Sequence, residues 1–418
     1  MDRGRVALLA VVLGYSASLS VINLASSLRV LDLTGAPQYL ALTVTAYNTS
    51  YAAMSSTWAY VFVGRVSRVG MMSISLTAMA LSAIGIGLAP SPAVVAALNA
   101  SLGLFAAVAT PVMTTIFTDY IGRDSRAVTE LNTASSAGFI AGYVAGAVLR
   151  HLVPTSVTLI AMGSLMAVLA PVTTGFPPMF RVVEPRRSTY VSVLPLITGR
   201  LRAIPASLTD PRIAYAIRKL ANDFARVVRV GVSRRFPLTI TATATLFTAI
   251  STFFTPMPAY LRGAGFRDEE LYVLSLTSTA VSTLSYRVVQ RFVEPPELAW
   301  RVLIASVASR VPIFLALIPI LTLPQARGLM YLLYVLIGVS WAGISTSLTL
   351  TVLGMSEPER RGERLGHLNA AISSGMVAGS VLSTFIASQG PLWTCTASSA
   401  LVGVSAALYV KALRAFVT

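Results

Sequence analysis

The sequence predicts an all-α integral membrane protein, with twelve transmembrane helices in two pseudo-symmetric six-helix bundles. Three observations predict it. Apolar runs of membrane-crossing length recur along the chain. Basic residues collect in alternate connections between those runs. A short block in the first half returns in the second.

Composition identifies the solvent. Of 418 residues, 55% are hydrophobic and only 11% charged, with a mean hydropathy of +0.73. A soluble domain carries about 25% charged residues, so this supply cannot cover a water-facing surface. The net charge of +16 would suggest nucleic acid in a soluble protein. Here the basic residues lie between apolar runs, and nucleic-acid binding is not expected. The lone Cys395 permits no intrachain disulfide and no cysteine metal cluster. His151 and His367 are far apart, so no metal, cofactor or enzymatic group is expected. Walker and His-Glu-x-x-His motifs are absent from the sequence, which argues against ATP-driven pumping and membrane proteolysis.

A helix needs about 20 apolar residues to cross the hydrocarbon core. Spans are expected at 6–28, 38–63, 70–89, 93–118, 127–149, 155–179, 237–261, 270–292, 302–323, 328–354, 365–388 and 391–411. None alternates as a barrel strand would. The first run is too long for a signal-peptide core and reads as a retained span.

With a cytoplasmic N-terminus, the inside segments hold Arg3, Arg5, Arg65, Arg68, Arg123, Arg126, the linker, Arg287, Arg291, Arg301, Arg360, Arg361, Arg364, Lys411 and Arg414. Only Arg29, Arg150, Arg262, Arg267 and Arg327 fall outside. This is the positive-inside pattern. It puts both termini in the cytoplasm and the protein in the plasma membrane. Residues 1–180 form the N-terminal bundle, 181–235 a basic cytoplasmic linker and 236–418 the C-terminal bundle. Late in the linker, Asp210 can cap a helix with Pro211 in its first turn. Ile213, Ile217, Leu220, Phe224 and Val228 then share a face, with Arg and Lys elsewhere. Such a helix can lie on anionic lipid headgroups or pack against the spans.

The repeat joins the two halves. Leu131-Asn132-Thr133-Ala134-Ser135-Ser136-Ala137-Gly138 precedes Ala141-Gly142. At a constant offset, Leu368-Asn369-Ala370-Ala371-Ile372-Ser373-Ser374-Gly375 precedes Ala378-Gly379. Both blocks open the fifth span of their half. Parallel repeats with a solute site between them are a common transporter plan.

Six spans, a long linker and six more resemble the major facilitator superfamily over nearly the whole chain. Local motifs add to the resemblance. Asp119 ends span 4 and Arg126 follows seven residues later; Glu357-Pro358-Glu359-Arg360-Arg361-Gly362 stands at the matching second-half loop. Gly138, Gly142 and Gly146 repeat every four residues in span 5, which is similar to the glycine motif of drug antiporters, without its proline. Ordinary close helix packing explains the same spacing. The span 2–3 loop departs from the family pattern: in Ser67-Arg68-Val69-Gly70-Met71, Ser67 stands for the usual acid and Met71 for the basic residue. Serine can still cap a helix, without charge. Asn99, ahead of Gly103, replaces the span-4 arginine of proton-coupled members.

The resemblance implies secondary transport of a small solute by alternating access, in a monomer. A transport-inactive receptor or assembly factor on the same scaffold is the alternative. Arg68 and Asp119, with Arg126 nearby, read either as the latch of an intracellular gate or as exposed loop charges. The spans carry almost no ionisable groups, which argues against proton coupling and against a cationic substrate. The remaining polar and aromatic side chains suit a neutral or lipophilic solute, with efflux slightly favoured by the glycines. Candidate contacts are Tyr15 and Asn23 in span 1, Tyr47, Asn48 and Tyr51 in span 2, Asn99 in span 4, Phe247, Thr252 and Phe253 in span 7, and Tyr334 and Trp341 in span 10. Each alone also fits helix packing. Asn48 and Asn99 are expected to face the bundle interior. Pro256 and Pro258 are expected to break span 7 near its outer end. Asn132 and Asn369 suit a gate or interhelical hydrogen bonds. Arg310, inside span 9, reads either as an anion or gate contact or as a side chain snorkelling to the headgroups.

Overall fold

A computed structural model of the chain describes residues 3–62, 66–121, 125–176, 235–293, 296–322, 326–355 and 361–417. The expected amphipathic helix of the linker lies outside the described residues.

In the first half, α1 (Arg3–Thr34), α2 (Pro37–Phe62), α3 (Arg68–Leu88), α4 (Pro92–Ile121), α5 (Ser125–Leu152) and α6 (Thr155–Val172) follow one another through short connections. In the second, α7 (Arg235–Phe254) and α8 (Met257–Gly263) make one crossing, followed by α9 (Asp268–Phe292). Then α10 (Pro296–Ala308) and α11 (Arg310–Thr322) make another, followed by α12 (Leu329–Gly354), α13 (Arg361–Ile386) and α14 (Pro391–Val417). Proline accounts for both broken crossings. Pro256 ends α7 where the expected break falls. Pro312 offers no N–H to the Ala308 carbonyl, and α10 stops there. Span 9 also begins earlier than its hydropathy suggests, at Pro296 rather than 302, so Arg301 lies within the helix. Ser67 does cap a helix, but its own: it accepts from the Gly70 amide at the start of α3, 3.1 Å away.

Among the described residues, nine segments are long and apolar enough to cross a membrane. Helices α2, α5 and α9 are long enough, at 26, 28 and 25 residues, but too rich in Ser, Thr, Tyr and Gly. Their packing explains it. Helix α5 lies along α9 and α2 along α13, so these helices join the two halves. A face against protein does not have to dissolve in lipid. Large apolar side chains such as Leu81, Val168, Leu284 and Phe385 are exposed where lipid would lie.

The halves pack alike. Helix α1 pairs with α5 as α7 pairs with α13, and α2 with α4 as α9 with α12. Glycines sit at equivalent contacts. A Cβ on Gly138 or Gly142 would strike α1 at Leu13, Ser16, Ala17 and Ser20; on Gly375 or Gly379 it would strike α7 at Ala244, Phe247, Thr248 and Ser251. The repeated block is therefore a packing code. It lets backbones meet at van der Waals distance where lipid supplies no hydrophobic drive. Gly146 differs. Its missing Cβ makes room for the ring of Tyr272 on α9, across the interface.

Overpacking a tight contact costs about 1–3 kcal/mol. Gly379→Val should lower the unfolding midpoint of the purified protein. Gly403→Val, where a Cβ meets nothing within 4 Å, should leave it unchanged.

Candidate transport path

At the end of the bundle away from the two termini, four charged side chains tie the halves together. Arg150 ends α5, and its Nε donates to Asp268 Oδ2 at 2.8 Å. Asp268 opens α9 and also receives Arg262, through Nε at 3.0 Å and Nη2 at 2.7 Å. Arg262, at the end of α8, reaches back to Asp32 of α1 at 2.9 Å. Thr155 donates to the other oxygen of Asp32 at 2.7 Å. The chain Asp32–Arg262–Asp268–Arg150 crosses between the halves twice, with no net charge. All four side chains are less than one-third exposed. Shielding from water makes such pairs stronger than surface ones. The three other arginines of this end are held too: Arg29 on the Ala89 carbonyl, Arg267 by Glu269 and Arg327 by Glu270.

Deeper in, Asn48 of α2 donates to the Met376 carbonyl of α13 at 3.5 Å, and Ser251 of α7 donates to the same oxygen at 2.8 Å. This amide crosses from one half to the other. On the N-terminal side, the Tyr15 hydroxyl is 3.1 Å from Thr110 Oγ1 of α4. Tyr51 stacks beside Tyr47, with centroids 6.1 Å apart. On the C-terminal side, Phe247 meets Trp341 edge to face at 6.1 Å. Tyr334 lies within electrostatic range of Tyr143 of α5, across the interface.

Other candidates lie elsewhere. Asn99 is buried, as an amide in hydrocarbon must be, but its Nδ2 donates at 3.1 Å to Val95 of its own helix. Thr252 is enclosed against Gly379 of α13, and Phe253 stacks on Phe314 of α11 at 3.8 Å; both belong to the interior of the second half. Asn23 is exposed. Asn132 and Asn369 are both exposed, at equivalent positions, with no interhelical hydrogen bond among the described residues. The side chains of Asp119 and Arg126, and with them the Arg68–Asp119 latch, lie outside the described residues. Sequence reasoning overlooked Thr110, Tyr143, Tyr272 and the four-residue ion chain. For the last a signal existed: Asp32 and Asp268 stand at the end that also holds Arg150 and Arg262.

Removing one buried hydrogen-bonding partner costs about 1–3 kcal/mol, or roughly tenfold or more in an equilibrium. Asp268→Asn should therefore raise thiol labelling of a cysteine placed at Thr110 by a reagent entering from this end. Reversing the pair as Arg150→Asp with Asp268→Arg should restore protection.

The fold matches solved transporters over its full length. A point mutant of the nucleoside transporter NupG aligns with a TM-score of 0.73 at 13% identity, covering 99% of this chain and 100% of that one. A bacterial homologue of the human lysosomal transporter Spinster, captured inward-facing and unoccupied, aligns with a TM-score of 0.72 at 15% identity, covering 99% and 98%. A POT-family transporter in complex with a thioalcohol-conjugated peptide aligns with a TM-score of 0.71 at 12% identity, covering 98% and 95%. No curated protein sequence matches the chain. The Major Facilitator Superfamily profile matches residues 6–354, most of the chain, and the protein belongs to that superfamily.

Proposed function

We propose that this protein carries a small neutral or lipophilic solute across the plasma membrane by alternating access, with efflux as the favoured direction. One observation carries the reading: the ion chain Asp32–Arg262–Asp268–Arg150 joins the halves at the end away from the termini, over the interface that the Asn48 amide also crosses. A latch of this kind has a purpose where two rigid bodies part and meet again. The positive-inside bias makes this end extracellular and both termini cytoplasmic. The closed outer latch then corresponds to a path served from the cytoplasm, the entry side for efflux. The two bundles, 1–180 and 236–418, are the rocking bodies, and the basic linker 181–235 holds them near anionic headgroups as the protein works as a monomer.

The lining supports the solute class. Tyr15, Thr110, Tyr47 and Tyr51 offer hydroxyls and ring faces; Phe247 and Trp341 offer ring faces opposite them. Among the described residues, Asp and Glu lie only near helix ends. A cation would find no counter-charge on the path, and a proton no deep carboxylate to ride.

Reconstituted vesicles test this. Counterflow with uridine, a hexose and a neutral aromatic alcohol should show saturable exchange of at least one. A pH gradient should not accelerate it, and Tyr15→Phe or Trp341→Ala should reduce it about tenfold, the scale of one lost polar or aromatic contact. Binding without exchange would support a receptor instead.

A further inference from the structure

Among the described residues, Arg310 is the largest side chain buried to within 2% of full enclosure. Its crossing runs from Leu298 to Leu321, which puts Arg310 near the middle. Roughly twelve residues separate it from either end, about 18 Å at the helical rise. That is farther than an arginine side chain reaches, so it does not snorkel. The guanidinium stays protonated in any protein setting, and a charge held in the hydrocarbon layer costs several kcal/mol unless it is matched.

The described residues match it poorly. Nη2 donates to the Ile337 carbonyl at 3.4 Å, an oxygen that Ser340 already engages at 2.9 Å. Cζ lies 5.9 Å from the Phe314 ring and 5.8 Å from the Trp341 ring. Nε and Nη1 have no hydrogen-bond acceptor, and no described carboxylate pairs with the group. Two ring faces and one shared carbonyl do not neutralise a full charge. Trp341 neighbours both the guanidinium and Phe247, so one indole links Arg310 to the candidate path.

We propose that Arg310 binds a small anionic group that enters from the path past Trp341. A halide or one oxygen of a carboxylate has the size and charge to accept from one of the two free nitrogens, Nη1 or, on the other edge of the guanidinium, Nε. The group is either the solute's own carboxylate or a separate inorganic anion that accompanies the solute. The first would make lipophilic weak acids the substrates; the second would make transport anion-dependent. What the anion does rests on the transporter reading above, whereas its binding does not.

Trp341 reports on the site directly. With Trp58, Trp300 and Trp393 changed to Phe, iodide added at constant ionic strength should quench its fluorescence saturably, and chloride should compete. Arg310→Gln should raise the half-saturating concentration at least about tenfold, the scale of a lost charge-assisted hydrogen bond. If benzoate also competes and exchanges across vesicles, the anion is the solute's own group; if only halides compete, it is a separate ion. Quenching that rises linearly, and equally in Arg310→Gln, would overturn the proposal. Arg310→Met keeps it testable should the glutamine variant fail to fold. Without its unmatched charge the protein should unfold at a higher temperature and lose any stabilisation by chloride. A lower midpoint, or no folded Met variant, would instead assign Arg310 a structural role. Saturable quenching without solute exchange would sink the transport reading and leave the anion site standing; exchange without saturable quenching would do the reverse.

Discussion

Lipid offers no hydrogen bonds, and most of this structure follows from that constraint. Every polar group in the spans must find its partner inside the protein. Serines and threonines return their hydroxyl protons to carbonyls one turn back, as Thr43 does to Tyr39 and Thr243 to Thr239. Others bond across helices, such as Ser405 to the Ala242 carbonyl at 2.7 Å, and the Tyr409 hydroxyl donates to Thr243 at 2.9 Å. Helices too polar to face lipid on all sides, α2, α5 and α9, are drawn into the contact between the halves. That contact is thereby the polar layer of the molecule, where a solute could exchange hydrogen bonds with protein instead of water.

The same constraint sorts the charges. Asp32, Arg150, Arg262 and Asp268 sit at helix ends and neutralise one another there. Because the two outer links, Asp32–Arg262 and Asp268–Arg150, join opposite halves, both break when the halves part at this end. Arg310 follows neither rule: it lies in the middle of its crossing, and no described carboxylate pairs with it. In a bilayer that combination is expensive, and such expense is usually tolerated for what the residue does.

Pseudo-symmetry organises the scaffold and fails where specificity begins. Glycines make equivalent contacts in both halves, including Gly103 against the Tyr47 carbonyl and Gly338 against the Ser278 carbonyl. Four residues before those glycines stand unlike partners, Asn99 and Tyr334. The first half presents phenols around Thr110, and the second presents Phe247 and Trp341 with a guanidinium behind. The two similar bundles therefore differ in chemistry at these positions.

Length and hydropathy of the apolar runs determined that the chain spans a membrane as helices, because the span of a helix in lipid depends on local composition alone. Proline positions likewise determined the break in α7–α8, and the repeated block its rank in each half. Tertiary structure decided what these signals were for. Gly138 and Gly142 serve packing within one half while Gly146 admits Tyr272 from the other, although one spacing produces all three. Asn99 looks like a path residue in sequence, yet its amide is spent on Val95, because rotamer and neighbouring helices choose among nearby acceptors. The ion chain and the isolation of Arg310 depend on which helix ends meet and which side chains surround a mid-membrane position. Those are long-range contacts, and no window of the sequence contains both partners.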